Sequence, residues 1–182
     1  MLILTGLFLS ILAVIVLGLM QEARLADARN VAVKIVLWVL YSYFEFKSGI
    51  QLNNAIRIIV MIVVICDSFF GLYWNLYSTS SIFDKVQHVL GSYGFSLFAY
   101  SVICQLGNPV MSRRFRFIFI LSLGLAIGAL YEIGEFIGDT ITKPQIPSQP
   151  NLLDTDLDLI ADLAGTLFAA IHAQYISRKL NS

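Results

Sequence analysis

The chain is 182 residues long, 58% hydrophobic and 13% charged, with twelve basic and twelve acidic side chains and a formal net charge of zero. A soluble domain of this length has too little interior for so much apolar side chain, whereas helices facing lipid need it on their outer faces as well. Zero net charge leaves no basic surface for nucleic acid, and Cys66 and Cys104, both in apolar runs, read as buried free thiols.

Six apolar segments follow in order, at 2–20, 31–46, 56–76, 84–106, 115–138 and 155–177. The expected fold is all-α: a single integral membrane domain over 1–182, built as a polytopic transmembrane bundle of about six helices, or five if 31–46 does not span. The run from Leu2 to Met20 lacks a basic lead and a small-x-small cleavage site, so it reads as a retained first transmembrane helix. The second segment is short and carries Lys34 and Glu45, which suits a tilted, interfacial or half-buried helix. The third holds the isolated Asp67, expected to be protonated or turned into the bundle interior. The connection DTITKPQIPSQPN spaces Pro144, Pro147 and Pro150 by three residues, predicting an extended path. After it, Thr155 and Asp158 resemble a capping box, and Asp154 or Asp156 is also placed to cap the last helix.

Three acidic sets stand out within 80–170. They are Asp84 with His88 in FDKVQHVLGSYGF, Glu132, Glu135 and Asp139 in ALYEIGEFIGD, and Asp154, Asp158 and Asp162 in LLDTDLDLIADLAG. Spacings of three and four place each set along one helix face. An ionisable group inside a membrane segment costs about 2.5–3.5 kcal/mol on insertion scales, which makes it a functional candidate by default. Asp139 reads as a solvated interfacial residue, and Asp84 with Lys85 also fits an interfacial pair. His172 lies 18 residues past Asp154, or about 27 Å along a helix, too far to join the same site.

Lys and Arg positions orient the bundle. With six spans, Lys47, Arg57, Arg113, Arg114, Arg116, Arg178 and Lys179 share one side, against Arg24, Arg29, Lys34, Lys85 and Lys143. If 31–46 does not span, Arg24, Arg29 and Lys34 join the larger group. Either arrangement puts the C-terminus in the cytoplasm and all three acidic sets at the outer face of a cell membrane.

So many like charges cannot all stay ionised in a low-dielectric pocket; protons or cations must neutralise them. Carboxylates with one imidazole suit Mg²⁺, Mn²⁺ or Zn²⁺, and such pairs on adjacent helices are how bundles build di-metal sites. The expected ligands are Asp84, His88, Glu132, Glu135, Asp154, Asp158 and Asp162, with Glu135, Asp158 and His88 as the catalytic candidates. A two-metal clamp would serve a hydrolase or phosphoryl transferase acting on a membrane lipid or polyprenyl phosphate. The same groups could instead serve a proton- or cation-coupled transporter, or a non-catalytic envelope-binding protein. Polar residues thin out after Asp162, which favours a one-sided site.

The motifs DKVQH, YEIGE and DTDLDLIADLAG, in that order, resemble the YjdF-like family of bacterial inner-membrane proteins. The wider pattern is similar to VanZ-like proteins, linked to glycopeptide-antibiotic resistance and the cell envelope. The resemblance covers about half of the chain, roughly residues 80–170, and implicates Asp84, His88, Glu132, Glu135, Asp154, Asp158 and Asp162.

Overall fold

The computed structural model describes residues 2–107, 110–144 and 147–180, with side chains described to residue 175. The described residues are helical with no strand: α1 (Leu2–Gln21), α2 (Leu25–Ser48), α3 (Asn54–Cys66), α4 (Leu76–Thr79), α5 (Phe83–Gly107), α6 (Arg113–Thr142) and α7 (Leu152–Leu180). A π-helical stretch, Asp67–Tyr73, prolongs α3. Four helical stretches among them are long and apolar enough to cross a membrane: Leu2–Gln21, Asn54–Tyr73, Phe83–Gly107 and Arg113–Thr142. The protein is a helical membrane bundle. The cytoplasmic end expected at residues 181–182, and the side chains of Arg178 and Lys179 used in the charge count, lie outside the described residues.

The chain divides into two compact units, residues 1–83 and 84–182. In the first, α1 packs mainly on α2. Phe8, Leu12, Ile15 and Leu19 recur at helical spacing and are buried, while Leu7, Val14 and Leu17 stay exposed, as lipid-facing side chains must. α2 is longer than the apolar run within it, because Leu25, Ala26, Ala28 and Arg29 are good helix formers and Asp27 in the first turn complements the helix dipole. Its two awkward charges both find partners near or on α3. Glu45 pairs with Arg57 at 2.5 Å, both nearly fully buried, and also accepts the Leu52 backbone N–H at 2.9 Å. Lys34 pairs with Asp67.

Asp67 therefore sits in the span as one half of an ion pair, and its other oxygen accepts from the Tyr77 hydroxyl at 2.7 Å. At the far end of the π-helical stretch that Asp67 opens, Arg24 donates to the Leu72 carbonyl at 2.6 Å, which also accepts the Asn75 N–H at 3.0 Å, and to the Tyr73 carbonyl at 3.1 Å.

The second unit packs through small and polar residues. On α6, Ile120, Gly124, Gly128 and Glu132 form a buried strip at intervals of four. This strip lies along α7, where Asp158, Ala161, Asp162, Thr166, Ala169, Ala170 and Ala173 are buried. Lipid offers no hydrophobic drive between helices, so close backbone approach holds them together. A Cβ at Gly128 would overlap the Asp162 carboxylate, one at Gly124 would overlap Ser96 and Thr166, and one at Gly165 would overlap the Val89 carbonyl. The glycines thus set the spacing of α5, α6 and α7.

The last helix begins three residues earlier than the capping-box reading placed it. Its first turn is capped by Asn151, whose Oδ1 accepts the Asp154 N–H at 3.1 Å. Thr155, Asp154 and Asp156 do not cap it, and Asp158 is buried a turn further on rather than closing a box. Before it, Lys143 ends α6 in the left-handed conformation at φ 46°, and Pro144 then bars further helix.

Candidate metal centre

Within the second unit, α5 supplies Asp84, Lys85 and His88, α6 supplies Glu132, and α7 supplies Asp154, Asp158 and Asp162. All seven meet. The i, i+4 register brings Asp84 and His88 to one face of α5, and the same register aligns Asp154, Asp158 and Asp162 on α7. His88 is the hub. Its Nδ1 lies 3.2 Å from Asp162 Oδ1. Its Nε2 lies 3.5 Å from Glu132 Oε1, 3.7 Å from Asp158 Oδ1 and 3.8 Å from Asp84 Oδ1. The ring also meets Tyr131 edge-on, with centroids 5.5 Å apart.

Those Nε2 separations are too long for hydrogen bonds. Nε2 of His88, Oε1 of Glu132, Oδ1 of Asp158 and Oδ2 of Asp162 are all buried without a hydrogen-bond partner among the described residues. Their residues are enclosed, at 7%, 5%, 1% and 2% exposure respectively. Two ligands of a tetrahedral ion with bonds of about 2.0–2.2 Å stand about 3.3–3.6 Å apart, close to the spacings around Nε2. Ligand atoms of Asp84, His88 and Asp158 all lie within 4.8 Å of one another, the grouping that could hold an ion. Residue types and spacing therefore fit a divalent metal.

Toward the rim the cluster is neutralised from within. The Lys85 ammonium donates to Asp154 Oδ1 at 2.5 Å, Asp158 Oδ2 at 2.8 Å and Asp84 Oδ2 at 3.0 Å. The side chains of Asp84, Lys85 and Asp154 are about a fifth exposed, at 23%, 20% and 21%. The cluster thus has an open rim and a closed floor. Lys85 is no mere interfacial neighbour of Asp84, because its longer-range contacts tie α5 to α7.

Glu132 has a further partner that the sequence did not suggest. Gln149 donates through Nε2 to Glu132 Oε2 at 2.7 Å and to the Glu132 carbonyl at 2.8 Å. The Gln149 backbone N–H donates to Asp139 Oδ2 at 2.9 Å. Asp139, expected to be merely solvated, instead anchors the proline-rich connection to the end of α6.

Glu135 differs from its neighbours: it is half-buried and makes no hydrogen bond or ion pair among the described residues. It lies one turn beyond Glu132 on α6. Asp156 is exposed. His172 is engaged elsewhere, its Nδ1 2.6 Å from the Tyr93 hydroxyl and the two rings stacked. The serine pair Ser92 and Ser96, both buried, continues the Asp84–His88 face of α5 at intervals of four. Facing them on α7, Thr166 continues the Asp158–Asp162 face, with its hydroxyl unpartnered.

The chain is similar to an uncharacterized protein of Thermotoga maritima, 31% identical over 115 residues. That stretch is 63% of this chain and 59% of the relative's length. No solved structure matches the chain. Residues 3–179 match the family described as predicted membrane protein (DUF2238). With nearly its whole length covered, the chain belongs to the DUF2238 family of predicted membrane proteins.

Proposed function

We propose that the protein is a divalent-metal-binding hydrolase or phosphoryl transferase of the inner membrane. Its cluster faces outward and acts on a lipid-linked envelope substrate of the polyprenyl-phosphate type. The observation that carries this reading is His88 Nε2, enclosed, free of any hydrogen bond and ringed by carboxylate oxygens at 3.5–3.8 Å. Asp162 on the opposite ring nitrogen adds to it, because metal-binding histidines commonly give that nitrogen to a carboxylate. Asp84, His88 and Asp158 would hold the ion, with Glu132 beside them. Near-tetrahedral spacing with one imidazole nitrogen favours Zn²⁺, while the surrounding carboxylates would also suit Mn²⁺ or Mg²⁺ if waters completed an octahedral shell.

When bound, such an ion polarises a phosphoryl oxygen and lowers the pKa of a bound water. Glu135, half-buried beside the cluster and without a partner among the described residues, is the carboxylate available to accept or return a proton. Asp162 fixes the tautomer and tilt of His88. Gln149 holds one Glu132 oxygen and leaves the other turned toward His88. The partly exposed rim of Asp84, Lys85 and Asp154 is the approach for a headgroup. On this reading the YjdF-like and VanZ-like resemblances extend the family assignment toward the cell envelope, within one integral membrane domain whose C-terminus is cytoplasmic.

Elemental analysis of purified protein tests the proposal. Wild type should retain divalent metal, His88→Ala should lose it, and Glu135→Gln should keep it. Metal-free wild type, folded and exposed to each ion in turn, would end the metal reading.

One observation favours the transporter alternative. Ser92, Ser96 and Thr166, none more than 4% exposed, carry a polar seam onward from His88 and Asp162 along the helices. Hydroxyls in such a seam could pass protons from carboxylates that share them. A purified protein that moves protons or cations across vesicles, with transport lost in Thr166→Val, would establish that reading. An envelope-binding role without catalysis would leave both metal retention and lipid-phosphate binding intact but give no turnover.

A further inference from the structure

We propose that Lys85 is the second cation of this centre, so that the site takes one divalent ion rather than a pair. The inference rests on the metal reading above. An ammonium has three N–H donors and no acceptor. Lys85 spends all three on carboxylates, at 2.5 Å from Asp154, 2.8 Å from Asp158 and 3.0 Å from Asp84. No donor remains for a substrate phosphate, so Lys85 supplies charge and position.

Two of its partners face both ways. Asp158 gives Oδ2 to Lys85, while its Oδ1 is unpartnered and lies 3.7 Å from His88 Nε2. Asp84 gives Oδ2 to Lys85, while its Oδ1 lies 3.8 Å from the same nitrogen. In di-metal bundles carboxylates projecting inward from neighbouring helices serve two ions at once. Here an ammonium occupies one of the two positions, and its charge would repel a second divalent ion at such short range. Asp154 then belongs to Lys85 and not to the metal: its oxygen meets the ammonium, and the grouping able to hold an ion consists of Asp84, His88 and Asp158.

Lys85 is a positioning residue, and metal stoichiometry is the readout that a merely structural role would leave unmoved. Full-length protein in detergent would be titrated with Zn²⁺ and with Mn²⁺, then desalted and its bound metal counted. Wild type should hold one ion per chain. Lys85→Arg should also hold one. Lys85→Met should hold two, because Asp84, Asp154 and Asp158 lose their counter-charge. Asp154→Asn should keep one ion with unchanged affinity. Two ions in wild type, one in folded Lys85→Met, or loss of the ion in Asp154→Asn would each overturn the inference. If Lys85→Met fails to fold, the wild-type count and Asp154→Asn decide. No ion in any folded variant would instead overturn the metal reading, and this inference with it.

Discussion

His88 Nδ1 lies 3.2 Å from Asp162 Oδ1, a contact that spans 74 residues of chain. It leaves Nε2 as the only ring atom free to bind, and it fixes the ring so that Nε2 points at the carboxylates. In Asp162→Asn the contact survives in shape but loses its charge. Metal affinity, measured by competition with a chromophoric chelator, should fall about 10–100-fold, the usual effect of replacing such a partner. Helicity by circular dichroism should be retained. Unchanged affinity would remove Asp162 from the site.

Gly128 gives a steric test of the same region. An added methyl group there would overlap the Asp162 carboxylate, whereas Gly134, four residues from Leu130 on the exposed flank of α6, has nothing within reach. Gly128→Ala should destabilise by about 1–3 kcal/mol, as overpacking does. Gly134→Ala should be neutral or gain up to about 1 kcal/mol from helix propensity. Thermal melts of the two variants in the same detergent compare them directly. Equal melting would mean that α6 and α7 are not held by that close approach.

The Glu45–Arg57 pair predicts behaviour in the other unit that has nothing to do with metal. Both side chains are 2% exposed, and removing one partner strands a buried charge at a cost of about 3–5 kcal/mol. Glu45→Gln and Arg57→Met should each destabilise strongly. The double variant should recover much of the loss. An additive double variant, in a double-mutant cycle on denaturation free energies, would show the two charges to be independent.

Membrane topology is open to cysteine labelling in a background without Cys66 and Cys104. A cysteine at Ser148, in the connection between α6 and α7, should react with a membrane-impermeant maleimide added outside. One at Arg114 should not. The reverse pattern would move the cluster to the inner leaflet and exclude an outer-leaflet substrate.

The helices were legible because lipid forces long apolar runs, and lipid-facing residues such as Leu7 and Val14 write the pattern without help from tertiary contacts. Asp84, His88, Glu132, Asp158 and Asp162 were legible because carboxylates in such runs are costly and their spacing put each set on one face. Lys85 is harder to place from sequence, since its neighbour Asp84 offers a local partner while the contacts that matter are 69 and 73 residues away. Gln149 sits among prolines with no periodicity to mark it. Ser92 and Ser96 did lie at intervals of four from His88, but a serine in a helix can bond its own i−4 carbonyl, as Ser92 does with His88 at 2.6 Å, so its presence signals little. Glu135 carried the same sequence weight as Glu132. Three residues turn a helix by about 300°, which leaves Glu135 beside the strip that Glu132 occupies.

Thermal melting with and without chelator tests the central claim, a divalent ion held by Asp84, His88 and Asp158, most directly. An ion that binds only the folded chain adds about 2.7 kcal/mol when present at 100 times its Kd. EDTA should therefore lower the melting temperature of wild type, and Zn²⁺ or Mn²⁺ should restore it. His88→Ala and Asp158→Asn should melt alike under both conditions, while Asp139→Asn, which loosens only the Gln149 anchor, should respond as wild type does. Wild-type protein that melts identically in EDTA and in every divalent ion would contradict the account.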